Sequence, residues 1–96
     1  MEENPDDPFN IYALALEYFD QDVEISKAYF DKLITNFPDY LPTYYHAANL
    51  YLELDDIEEA KKLYNKGIVL ARKQGDINTL SELQNALKTL LFEDEE

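Results

Sequence analysis

Residues 44–67 read YYHAANLYLELDDIEEAKKLYNKG, and residues 11–33 read IYALALEYFDQDVEISKAYFDKL. Laid over one another, Tyr44, Ala47, Ala48, Tyr51, Ala60, Tyr64 and Gly67 fall on Ile11, Leu14, Ala15, Tyr18, Ser26, Phe30 and Leu33. The offset is about 34 residues, a range in which helix pairs repeat, because one such pair cannot bury its apolar face without a neighbour. Chains built this way usually serve as binding scaffolds rather than catalysts. The first copy closes on Pro38, where the second has Arg72.

Local signals then set the helices. Asp7-Pro8 is a capping aspartate with proline in the first turn, where the missing N–H costs nothing, and it opens a helix to about Phe19. Asp22 opens a second, with Val23, Ser26, Phe30, Leu33 and Ile34 on one stripe, which stops before Pro38. A third starts around Leu41-Pro42 and ends near Leu54. Asp56, followed by Glu59 three residues on, starts a fourth that no proline interrupts, so it runs to about Lys73. Gly75 supplies a left-handed stop and Asp76 a new cap. The fifth carries Leu80, Leu83, Leu87 and Leu90 on one face and ends in acidic residues. The expected fold is all-α, five antiparallel helices in a single domain over 1–96. Its parts are repeat 1 (8–38), repeat 2 (41–73), a capping helix (76–92) and an acidic tail (93–96). Tyr18 to Ser26 is one residue closer than Tyr51 to Ala60, which predicts a shorter turn inside the first repeat.

Composition excludes several functions. With 46% hydrophobic residues the chain is too apolar for disorder, and with no cysteine it has neither disulfide nor thiolate metal site. Eight Lys and Arg against 21 Asp and Glu leave a net charge of −13, which disfavours nucleic acid and anionic membrane. Solubility, a high-salt cytoplasm or a basic partner are the readings of that excess. No apolar run approaches the roughly 18 residues of a membrane span, and Glu2, Glu3, Asp6 and Asp7 reverse the charge of a secretory leader, so a cytoplasmic location is expected. Asp20, Asp22 and Glu24 alternate like a calcium loop, but Ile25 replaces its glycine and the closing glutamate is missing. His46 is the single histidine and has no second ligand at metal spacing. The serines, Ser26 and Ser81, have no histidine at a base's position, and Gly67 and Gly75 make no phosphate loop. No enzyme activity, cofactor, metal or small-molecule substrate is expected.

The pattern Tyr44-x2-Ala47-Ala48-x2-Tyr51 with Ala60-x3-Tyr64 resembles the tetratricopeptide repeat, whose motif is W-x2-L-G-x2-Y, then A-x3-F, then P. Ile11-x2-Leu14-Ala15-x2-Tyr18, Ser26-x3-Phe30 and Pro38 repeat the resemblance, which spans about residues 8 to 73. Ile11 and Tyr44 stand for the tryptophan, and Ala15 and Ala48 for the glycine. The resemblance implies a concave groove, lined by the first helix of each repeat, that receives a protein or peptide. Carried onto this sequence, the groove residues are Tyr12 and Leu16 with Phe9 and Phe19 at the edges, then Tyr45, His46, Asn49 and Leu52. Aromatic rings offer contact area at low entropy cost, and Asn49 offers an amide to a peptide backbone. The family's carboxylate-clamping subclass uses Lys and Arg here, which Tyr12 and Tyr45 replace.

From Phe9 to Phe19 only Asn10 and Glu17 are fully polar, so the first helix is apolar nearly all round although it ends the array. It either packs against a second copy, making a homodimer, or presents an aromatic surface to another protein. A missing covering segment is disfavoured by the starting Met1 and the acidic ends. The acidic surface, recognised by a basic protein, is a further alternative.

Overall fold

The computed structural model describes residues 7–94 as five α-helices: α1 (Pro8–Phe19), α2 (Val23–Asn36), α3 (Pro42–Glu53), α4 (Ile57–Gln74) and α5 (Ile77–Asp94). Capping sets most boundaries. The Asp7 carboxylate accepts from the Phe9 amide at 2.8 Å, Asp22 from Glu24 and Ile25, Asp56 from Glu59, and Asp76 from Thr79. Leu41 has no capping side chain, and Pro42 starts α3 by its fixed φ alone. At the end of α4, Gly75 turns left-handed at φ 74° while the Asp76 amide donates back to the Ala71 carbonyl at 3.0 Å. The capping box at α4 is one-sided, because the Asp56 amide donates to the Tyr51 carbonyl instead of to Glu59.

The two turns inside the repeats, 20–22 and 54–56, are equally long, contrary to the spacing argument. Helix α3 absorbs the extra residue by continuing one position further past Tyr51. The chain then reverses through Asp55 at φ 64°, a conformation aspartate tolerates better than most residues. Helix α5 continues to Asp94, so the first residues of the acidic tail are helical; Glu95 and Glu96 lie outside the described residues.

The helices pack as two layers, α1, α3 and α5 on one side and α2 and α4 on the other, in a slab 49 × 32 × 18 Å. Small residues mark the close approaches. Ser26, fully buried, donates its hydroxyl to the Ala15 carbonyl at 2.7 Å, and Ala48 and Ala60 are fully buried at the matching positions of the second repeat. A Cβ on Gly67 would lie 2.9 Å from both Tyr44 Cβ and Leu83 Cδ1, so α4 meets α3 and α5 at a position only glycine fits.

Tyrosine hydroxyls fasten the repeats to each other. Tyr44 donates to the Pro38 carbonyl at 2.6 Å, and Tyr51 donates to Asp31, whose other oxygen binds Lys27 at 3.0 Å. Burial, then the bond to Asp31, raises the Tyr51 pKa to about 12, so this hydroxyl stays a donor at every physiological pH. Among the described residues no helix is long and apolar enough to cross a membrane.

Candidate partner-binding face

Tyr12 on α1 and Tyr45 and His46 on α3 come together at one surface. Five rings run edge to face: Tyr40 to Tyr12 at 5.7 Å, Tyr12 to His46 at 5.7 Å, His46 to Tyr45 at 5.3 Å, and Tyr45 to Tyr64 at 6.4 Å. Each such pair contributes about 0.5–1.5 kcal/mol beyond its buried area, so the row is held in place before any ligand arrives. Its inner end is fixed by Tyr64, which is almost fully buried and donates its hydroxyl to the Asn49 amide oxygen at 2.5 Å. Burial, then Tyr45, raises the Tyr64 pKa to about 12. Burial, then Tyr40, raises that of Tyr12. Burial lowers the His46 pKa below its usual 6.5, an effect that nearby Glu82 partly offsets.

The third wall comes from α5. Glu82, Asn85, Ala86 and Thr89 follow i, i+3, i+4, i+7 spacing and, with Tyr45 and His46, enclose an open cleft of about 520 Å³. The sequence expectation, in which α5 only caps the array, does not include these four. The signal was present: they share the edge of α5 beside buried Leu83 and Leu90.

The other expected groove residues are more dispersed. Phe9 and Leu16 lie outside the cleft, 61% and 36% exposed, on the open stripe of α1. Phe19 lines a separate cleft of about 320 Å³ with Asp20, Val23 and Glu53. Asn49 has its oxygen committed to Tyr64, and Leu52 packs half-buried against the core. Another cleft, of about 500 Å³, lies between α4 and α5 and is lined by Ile68, Leu87, Leu91 and Phe92 with Arg72 and Lys88 at its edges.

Charge is sorted by layer. Helices α1 and α3 contain no Lys or Arg, and the one on α5, Lys88, lines the α4–α5 cleft instead of the groove. The other seven sit on α2 and α4. Among the described residues the ring-lined cleft carries the Glu82 carboxylate and no Lys or Arg.

Tetratricopeptide-repeat models match residues 11–40 and 41–74. The chain is 43% identical to a tetratricopeptide repeat domain protein from Salinibacter ruber solved by NMR, with a TM-score of 0.87, over 92% of this chain and 90% of that one. The chain belongs to the tetratricopeptide-repeat family. A crystal structure of a tetratricopeptide repeat domain protein from the same organism is 41% identical over 88% of this chain and 96% of that one, with a TM-score of 0.84. No curated protein matches the sequence. Tetratricopeptide repeats generally mediate protein–protein interaction and typically act as non-catalytic scaffolds. Paired Ala15 and Ser26, each fully buried with a hydroxyl–carbonyl bond between them, are the repeat's small packing positions in this chain.

Proposed function

We propose that this tetratricopeptide-repeat protein is a cytoplasmic, non-catalytic scaffold that binds a peptide or an extended protein segment along its concave face. One observation carries the reading. Tyr12, His46 and Tyr45 form a row of half-exposed rings, of which His46 and Tyr45 line the cleft against α5. Rigid aromatic groups in a concavity dominate binding energy where partners dock, because little entropy is lost when they are covered. Phe9, Leu16 and Phe19 on α1 and Leu52 on α3 offer further apolar surface outside that cleft, and Asn49 offers its amide N–H groups to a peptide backbone.

Peptides selected from a random library on the wild-type protein test this. Those peptides should bind Tyr45→Ala at least about tenfold more weakly, with helical circular dichroism unchanged. Equal affinity for the variant rejects the reading.

A second reading is a homodimer through α1, favoured by the exposure of Phe9 and Leu16 on one stripe of a terminal helix. Light scattering at high protein concentration decides it. A dimer dispersed by Phe9→Glu supports it, and a strict monomer removes it.

A further inference from the structure

The groove's third wall has a chemistry of its own. Of the six side chains around the α3–α5 cleft, two are aromatic, one is a carboxylate, and Asn85 and Thr89 each offer an oxygen acceptor. Ala86 is short and leaves the space between them open. Among the described residues no Lys or Arg lines the cleft, and none stands on α1 or α3 to occupy it from within. Acceptors and ring faces without a resident cation, in a concavity of about 520 Å³, match a ligand that is positive, rich in donors and flat or slender.

We propose that this cleft is a subsite for a cationic side chain, an arginine or lysine of the bound segment. Glu82 supplies the counter-charge, Tyr45 and His46 the ring surfaces, and Asn85 and Thr89 the remaining acceptors. A guanidinium presents five N–H donors in a plane, enough to engage the carboxylate while its face lies on a ring. His46 supports the assignment, because Glu82 is near enough to act on its titration and burial keeps its imidazole neutral, so it does not compete for that carboxylate. The net charge of −13 adds long-range attraction for a basic segment. This is the reverse of a groove that clamps a carboxylate with basic residues.

The inference rests on the concave face being the binding face, and the experiment separates the two. N-acetyl-arginine amide is titrated against isotope-labelled protein, with the citrulline analogue as its neutral isostere. Amide shifts should centre on Tyr45, His46, Glu82, Asn85 and Thr89, and citrulline should bind at least about fivefold more weakly. Glu82→Gln, an exposed change, should remove that preference, while Glu93→Gln should not. Shifts spread evenly over all carboxylates, or a preference surviving Glu82→Gln, overturn the subsite. Library-selected peptides give the second arm. If they depend on Tyr45 but are neither enriched in arginine and lysine nor weakened by Glu82→Gln, the subsite fails while the groove stands. If none depends on Tyr45, both fail.

Discussion

The two repeats solve one packing problem with opposite residues. Leu33 in the first and Gly67 in the second hold the same repeat position, and both are buried. Leu33 fills a gap between helices, whereas Gly67 lets α4 approach Tyr44 and Leu83 within contact distance. A second pair differs in polarity. Leu16 and Phe30 of the first repeat correspond to Asn49 and Tyr64 of the second, where the apolar pair has become a hydrogen-bonded one. In both pairs the residue of one repeat is matched to its own neighbours. The groove makes the same point, since Tyr12 and Tyr45 are equivalent, but α3 meets Tyr12 with the His46 ring, whereas α5 leaves an open cleft beside Tyr45.

The largest expected effect is at the volume-swapped position. Leu33→Ala should lose about 2–5 kcal/mol, the range for a fully buried leucine. Gly67→Ala should lose about 1–3 kcal/mol, because overpacking outweighs the helix-propensity gain of roughly 1 kcal/mol. Urea denaturation measures both, and a more stable Gly67→Ala would break the contrast. Next comes the polarity swap. Asn49→Leu alone strands the buried Tyr64 hydroxyl, at about 1–3 kcal/mol, and adding Tyr64→Phe should recover most of that loss. Additive losses would show that the pair is not coupled. Smaller again, Ser26→Ala reproduces what the second repeat has at Ala60 and should cost about 1 kcal/mol for the lost bond to Ala15.

How much of this was legible in the sequence differs by feature. Helix boundaries were readable because caps act locally: Asp7, Asp22, Asp56 and Asp76 bond within three residues of themselves, and Gly75 needs only its own φ. The small-residue positions were readable through the repeat. The turn length was misjudged, since spacing counts residues without saying whether a helix or a loop takes the extra one. Glu82, Asn85 and Thr89 were missed for a different reason: α5 has no counterpart motif, so only its packing angle on α4 brings that edge to Tyr45. The Asn49 amide oxygen is not free for a ligand because Tyr64, fifteen residues on, claims it, a pairing that only the packing of α4 on α3 reveals.

The smallest expected effect is electrostatic. At the position of His46 the first repeat has exposed Ala13, so only the second repeat carries a titrating ring. Burial lowers the His46 pKa below 6.5, hence the unfolded chain takes up the proton first as pH falls. The stability this group contributes is complete above 6.5 and declines as pH falls below it. Glu82 on α5 partly offsets the effect, while Tyr12 on α1, its pKa raised by burial, does not change charge in that range. Between about pH 7 and pH 5 the wild type should therefore lose more in melting temperature than His46→Gln does. Identical pH profiles would show that the ring is solvated.

The concave face itself is tested most directly by mapping a library-selected peptide onto the labelled protein by chemical-shift perturbation. The account predicts shifts at Tyr12, Tyr45, His46, Glu82 and Asn85, the residues that α1, α3 and α5 bring to one concavity. Shifts confined to Lys61, Lys66 and Arg72 on α4, or to the cleft at Leu87 and Leu91, would contradict it.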